Sequence, residues 1–316
     1  MEKKILFLDS AHPLLSEELN KLGFQCELHV DWSVGQIIKH LQEYDGVVIR
    51  SKIKFTKDVI DSAPRLKFIA RVGAGMENID RVYAERRGIK CLHAPEGNRI
   101  AVGEHALGML LCLLNNLCRA NLEVRQGKWI REGNRGVELS GKTVGIIGFG
   151  NMGSAFARCL KGFNCRILAY DKYKRKLTTA GVKKVGLKAI FKHADIISLH
   201  LPLTEETHYF VDDLFISRFK KPVYIINTSR GKNVNTNDLV KNLKSGKVAG
   251  ACLDVLEYEA VSFENIVNKK ISRSFQYLLQ SDKVVLSPHI AGWTVESNEK
   301  MASILVKKIS AMFKAI

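Results

Sequence analysis

The chain has 316 residues, 46% of them hydrophobic and 26% charged, which is enough for two domains with their own cores and excludes a disordered or fibrous polymer. A formal charge of +17 raises nucleic-acid binding, but the densest basic cluster, Lys172-Tyr173-Lys174-Arg175-Lys176, is short and reads as a solvated face; dispersed positive charge draws small anions instead. Seven cysteines without a C-x-x-C pair argue for reduced thiols, a cytoplasmic location and no metal site.

From the N-terminus, short apolar runs alternate with helical patterns. Ile5–Asp9, Phe24–Leu28, Gly46–Arg50, Leu66–Arg71 and Ile89–Leu92 read as strands, and Leu14–Leu22, Val34–Leu41, Lys57–Ser62 and Asn78–Arg87 as the helices between them. The first run is too short for a signal peptide. Such alternation implies a parallel sheet covered on both faces, with ligands at the carboxyl edge. Two strand ends stand out there: Arg50-Ser51, and Arg71-Val72-Gly73-Ala74-Gly75, whose glycines let backbone N–H groups face an anion. A lone arginine at a strand end is also a common surface ion-pair partner.

Ala94-Pro95-Glu96-Gly97-Asn98 is a turn-rich break and a candidate hinge, followed by a long helix over Ile100–Gln126. Its apolar part, Ala106–Leu117, is too short to span a membrane and reads as buried. Next comes the strongest local signal. The apolar run Thr143–Ile147 breaks into Gly148-Phe149-Gly150-Asn151-Met152-Gly153 and continues as a helix, and a second run, Arg166–Tyr170, ends in Asp171, 18 residues beyond Gly153. In a dinucleotide-binding turn the first glycine permits the tight bend, the second admits a pyrophosphate and the third packs helix on strand. The following acid takes the adenosine ribose. Further strands are expected at Asp195–Leu199, Val223–Asn227, Val248–Leu253 and Val284–Ser287, with a last helix over Val295–Phe313. The polar linker Val261–Asp282 has no readable shape.

Three of these strand ends carry reactive side chains: Asn227-Thr228-Ser229-Arg230-Gly231, Leu253-Asp254 running on to Glu257 and Glu259, and Ser287-Pro288-His289-Ile290-Ala291-Gly292. Hydride transfer to or from a hydroxy acid needs a proton-transfer group, a carboxylate that orients it and a cation for the substrate oxygens; His, Glu and Arg supply them. Glu257 competes with Glu259 for the carboxylate role. His105, His193 and His200 read as structural.

These motifs together, with Ala101-Val102-Gly103-Glu104-His105 and Ala194–Thr207, resemble the NAD-dependent D-2-hydroxyacid dehydrogenase family over about Val47–Thr294, and within it most of all the phosphoglycerate dehydrogenases. The resemblance implies an α/β fold of two doubly wound parallel-sheet domains: a discontinuous flavodoxin-like substrate domain (1–97 and 289–316) and a Rossmann-type NAD domain (98–288), with the active site in the cleft between them. It implies Arg230, Glu259 and His289 as the catalytic set. For NAD it implies Gly148, Gly150, Asn151, Met152, Gly153, Asp171, Leu201, Pro202, Thr207, Thr228, Ser229, Asp254, His289 and Gly292; Lys172 and Arg175 stand where they could also meet a 2′-phosphate. For the substrate it implies Arg50, Ser51, Arg71, Val72, Gly73, Ala74, Gly75, Arg230 and, across a homodimer interface in the cofactor domain, Arg131. The expected substrate pair is 3-phosphoglycerate and 3-phosphohydroxypyruvate, in serine biosynthesis. A glyoxylate or hydroxypyruvate reductase and an NAD(H)-sensing corepressor-like binding protein are the alternatives. Ala260 departs from the proline usual after the catalytic glutamate, and the short stretch beyond His289 leaves no room for a regulatory ACT-type domain.

Overall fold

The computed structural model describes residues 3–177, 179–259 and 272–314. They divide into two compact units, one built from 3–98 and 293–314, the other from 99–259 and 272–292.

The first unit holds five strands, β1 (Lys3–Phe7), β2 (Phe24–Leu28), β3 (Gly46–Ile49), β4 (Phe68–Arg71) and β5 (Lys90–His93), in the order β2-β1-β3-β4-β5 and parallel throughout. β3 and β4 are buried along their whole length, because helices cover both faces of the sheet and an unbroken apolar run is what such a strand needs. One face packs Ile37, Leu41, Val59 and Ile60; the other packs Leu15 and Leu19 with Met301, Leu305 and Ile309 of the C-terminal helix Val295–Lys314.

The second unit holds seven parallel strands: β6 (Thr143–Ile147), β7 (Arg166–Tyr170), β8 (Val182–Lys184), β9 (Ile196–Leu199), β10 (Val223–Asn227), β11 (Val248–Leu253) and β12 (Val284–Leu286). Their order is β12-β11-β10-β9-β6-β7-β8. Strand order reverses beside β6, which opens the crevice where doubly wound sheets bind ligands. Both faces are covered, one core lying around Ile190, Phe215 and Leu239, the other around Met109, Leu113 and Phe156.

Three expectations change. The long helix is two, Pro95–Leu114 and Leu117–Arg125, bent by 62°, because Asn116 takes a left-handed conformation (φ 53°) that asparagine tolerates and a continuing helix cannot contain. Its first turn is the stretch expected to be a hinge. The linker contains the helix Arg273–Gln280, capped by the Ser272 hydroxyl and buried through Phe275 and Leu278; Ala260 and the linker up to residue 271 lie outside the described residues. Finally, His289–Gly292 pack with the second unit, because the backbone N–H of His289 donates to the Asp254 carbonyl at 2.7 Å and those of Ile290 and Ala291 donate to its carboxylate. Among the described residues, no single helix is long and apolar enough to cross a membrane.

Candidate active site

The glycine turn is tight at its first and third glycines and open at its second. Gly148 has φ +86°, and a Cβ there would stand 2.4 Å from the His200 carbonyl oxygen. At Gly153 a Cβ would stand 2.1 Å from the Gly148 oxygen, so the helix Asn151–Cys159 packs on its loop only because that residue has no side chain. Gly150 is different: a Cβ there meets nothing within 4 Å. The open space lies at the start of the helix, where N–H groups point outward and the dipole favours an anion. Buried Thr228 Oγ1, just beyond the end of strand β10, has no hydrogen-bond partner among the described residues, as fits a hydroxyl whose partner is a ligand.

Asp171, at the carboxyl end of β7, accepts from the backbone N–H groups of Tyr173 (3.0 Å) and Lys174 (2.9 Å) on one oxygen and of Phe149 (2.8 Å) on the other. Burial pushes its pKa up, but these bonds and the Lys174 charge outweigh it and hold the carboxyl below the usual range. It is therefore an ionised acceptor joined to the glycine turn. Beside it is a cavity of about 300 Å³ lined by Phe149, Ser154, Lys174, Arg175, Lys176 and Leu177. Lys172 instead pairs with Glu206 at 2.5 Å. Thr207 staples the Leu201-Pro202 loop, donating to the Pro202 carbonyl at 2.6 Å while Asn233 holds the Leu201 carbonyl at 3.1 Å. Ser229 is buried and bonded to Asn227 Oδ1 at 2.7 Å.

Two of the three reactive groups pair on the second unit, and the backbone turn of the third, Arg230, lies beside the glutamate turn. His289 Nδ1 lies 2.7 Å from Glu259 Oε2. A carboxylate only accepts, so Nδ1 carries the hydrogen. Glu259 is fixed in turn by the Leu256 N–H, 2.5 Å from its other oxygen. Glu257, the competing acid, is committed elsewhere, to the Tyr209 hydroxyl at 2.6 Å and the Thr236 N–H at 3.1 Å. Arg230 is brought to the same edge by Gly231, whose absent side chain would lie 2.0 Å from the Leu256 backbone; the arginine turn thus presses directly on the glutamate turn. His289 itself has φ 56°, a cost of about 1–2 kcal/mol for a residue with a Cβ, and Asp254 holds it there.

The residues of the first unit expected to meet substrate behave unequally. One oxygen of Asp9 gathers the N–H groups of Arg50 (2.6 Å), Ser51 (3.2 Å) and Lys52 (3.4 Å), so the loop after β3 is pinned by its backbone and the Arg50 side chain extends from it to lie 3.9 Å over the Trp293 ring. Arg71 is buried and donates through Nε to the Arg50 carbonyl (3.0 Å) and through Nη1 to the Gly75 carbonyl (2.9 Å). It props the Val72–Gly75 loop from beneath, and His93 holds the Ala74 carbonyl at 2.7 Å. Arg131 sits on an exposed turn and makes no side-chain hydrogen bond or ion pair among the described residues. Asp9 was missed from sequence, although an acid closing the first strand at the carboxyl edge was a visible signal.

A doubly wound dinucleotide-binding unit, carrying an ionised aspartate beside its glycine turn and a histidine–glutamate pair at the strand ends, is the architecture of a nicotinamide-dependent oxidoreductase. Comparison narrows the class. Residues 107–291 match the family model of the D-isomer specific 2-hydroxyacid dehydrogenase NAD binding domain. The chain is 39% identical to a hydroxypyruvate reductase of Thermotoga maritima, over 87% of this chain and 86% of that protein. It is 35% identical to a D-3-phosphoglycerate dehydrogenase of Archaeoglobus fulgidus, over 97% of this chain but only 57% of the relative's length. Among solved structures, D-lactate dehydrogenase of Aquifex aeolicus with NAD and lactic acid superimposes with a TM-score of 0.85 at 30% identity, covering 99% of this chain and 96% of that one. The protein belongs to the NAD-dependent D-2-hydroxyacid dehydrogenase family.

Proposed function

We propose that the chain reduces a small 2-keto acid to the D-2-hydroxy acid with NADH. The observation that carries this is the 2.7 Å pairing of His289 with Glu259 beside the arginine turn. NADH supplies the hydride; the protein supplies everything else. Gly150 and the helix behind it receive the pyrophosphate, and Asp171 the ribose. Arg230 binds and polarises the carbonyl and carboxylate oxygens, His289 gives its Nε2 proton to the carbonyl oxygen, and Glu259 stabilises the imidazolium that must exist beforehand. In the direction of oxidation the same imidazole takes the hydroxyl proton. The N–H groups of the Val72–Gly75 loop are proposed to take the substrate carboxylate.

Hydroxypyruvate and glyoxylate are the better-supported substrates, because Arg71 spends its guanidinium on backbone carbonyls. The Arg50 side chain, laid on Trp293, favours 3-phosphohydroxypyruvate as the second reading, with serine synthesis as its setting. NADH oxidation with the three keto acids, compared by kcat/KM, decides the order, and absence of turnover with all of them favours a cofactor-sensing binding protein. His289→Ala is expected to lower kcat by a hundredfold or more, in the range of about 10²–10⁴ for general acid catalysis, while sparing NADH affinity. We also propose a homodimer through the second unit, where Leu117, Leu122, Val124, Trp129 and Ile130 are each exposed on or just after the helix Leu117–Arg125. A monomeric mass in light scattering removes it.

A further inference from the structure

We infer that His105 is a positioning residue for this chemistry, acting on His289 through Ser287 and Asp254. The inference rests on the proposed role of His289 as proton donor. His105 lies on the helix Pro95–Leu114, 184 residues before the catalytic histidine in the chain, and belongs to none of the groups expected to touch cofactor or substrate. Its Nε2 is 2.9 Å from Ser287 Oγ, and Ser287 Oγ is 2.6 Å from Asp254 Oδ1.

The direction of the bonds follows from the proton inventory. Asp254 is 1% exposed. Burial pushes its pKa up, yet hydrogen bonds from His105, Ser287 and the N–H groups of Ala291 and Ile290 prevail and hold it below the usual range, so it is an ionised acceptor. Ser287 has one hydroxyl proton and gives it to that carboxylate. The lone pair facing His105 must then receive the Nε2–H, so His105 is the donor of this bond.

Asp254 does the rest. Its Oδ1 accepts from the Ile290 N–H (2.8 Å), its Oδ2 from the Ala291 N–H (2.9 Å), and its carbonyl from the His289 N–H (2.7 Å). Three consecutive backbone donors are thereby held around the residue whose φ of 56° is the strained one. The carboxylate can clamp them only while its own rotamer is fixed, and Ser287, itself held by His105, fixes it through Oδ1. A general acid displaced by about 1 Å can lose on the order of a hundredfold in rate, so a link this far from the reacting atoms still reaches kcat.

The test uses the full-length protein with NADH and either glyoxylate or hydroxypyruvate, comparing His105→Ala, His105→Gln and Ser287→Ala. Glutamine carries an amide N–H at about the reach of Nε2; alanine carries none. His105→Ala is expected to lower kcat about tenfold with NADH affinity nearly constant, His105→Gln to recover to within about threefold of the wild type, and Ser287→Ala to lose at least as much as His105→Ala. Wild-type kcat in His105→Ala with only a lower melting temperature overturns the inference, as does a glutamine variant no better than alanine. If His105→Ala does not fold, the smaller Ser287→Ala change decides alone. The ¹⁵N imidazole resonances of His289, read without substrate, keep this separate from the proposed function. A protein inactive on every keto acid fails that function, yet resonances that move in His105→Ala and return in His105→Gln still support the relay, and unmoved resonances overturn it.

Discussion

Replacing Gly150 by valine separates cofactor binding from folding. Nothing lies within 4 Å of the added Cβ, and the backbone there has φ −79°, which a side chain tolerates. The folded chain should therefore lose only the small difference between glycine and valine at a helix cap, about 0.5–1 kcal/mol, or a few degrees in Tm. The isopropyl group would occupy the space reserved for the pyrophosphate. Two charge-assisted hydrogen bonds lost at about 1.5–3 kcal/mol each correspond to a fall in NADH affinity of roughly 10²–10⁴-fold. Fluorescence titration with NADH beside a thermal melt reads both quantities. Gly153→Ala is the control: its Cβ would meet the Gly148 oxygen at 2.1 Å and Ile146 Cγ2 at 3.1 Å, and a backbone atom on a tight turn cannot step aside. It should cost at least the 1–3 kcal/mol typical of overpacking. An affinity for Gly150→Val within threefold of the wild type, or a Gly153→Ala protein as stable as the parent, refutes the cradle.

Three further outcomes test other parts of the site. Glu259→Gln should reduce kcat for keto-acid reduction by about a hundredfold or more, whereas Glu257→Gln, which weakens bonds to Tyr209 and Thr236, should lower Tm and leave turnover close to normal; equal kinetic losses would mean the glutamates have been assigned wrongly. Arg71→Lys keeps the charge but loses the two-pronged hold on the Arg50 and Gly75 carbonyls, so it should destabilise by about 1–3 kcal/mol and raise KM for all keto acids alike. A loss confined to the phosphorylated substrate would restore Arg71 as a phosphate ligand. His200 is half-buried, with its Nδ1 shut away from solvent, and burial of the imidazole pushes its pKa down to about 3. Between the unfolded value of about 6.5 and that figure, the unfolded chain takes up a proton the native one refuses. Stability present above pH 6.5 therefore declines as pH falls through this window, by up to about 5 kcal/mol. Urea titrations from pH 7 to 4 should show a flatter decline in His200→Gln; an unchanged slope refutes the assignment. Asp254, held below its ordinary value, adds its own loss only at lower pH, below about 3.9 where an unfolded aspartate begins to protonate.

The alternation of buried strands and amphipathic helices was readable because a sheet covered on both faces needs unbroken apolar runs such as Val47–Ile49 and Ile225–Ile226, and those survive in a linear string. The cradle was readable for the same reason: Gly148, Gly150, Gly153 and Asp171 act through local backbone geometry. The break at Asn115-Asn116 was less so, since a left-handed asparagine is one option among several for that pair, and the helix Arg273–Gln280 was hidden in a polar stretch although Ser272 caps it.

By itself, the amino-acid order determined the two parallel sheets, the dinucleotide turn and the identity of His289, Glu259 and Arg230 as residues at strand ends. Tertiary structure alone decided how those residues are spent. Glu259 and Glu257 stand in one turn, two residues apart, and only partners brought from Tyr209, Thr236 and His289 tell the carboxylate that meets the histidine from the one that does not. Arg71 sits beside an anion-ready loop in sequence, yet its fork points to the carbonyls of residues 50 and 75. His105 and Ser287 lie 182 residues apart. A hydrogen bond has range and direction in space but no signature in sequence separation, so pairings made at the sheet edge appear only once the sheet is built.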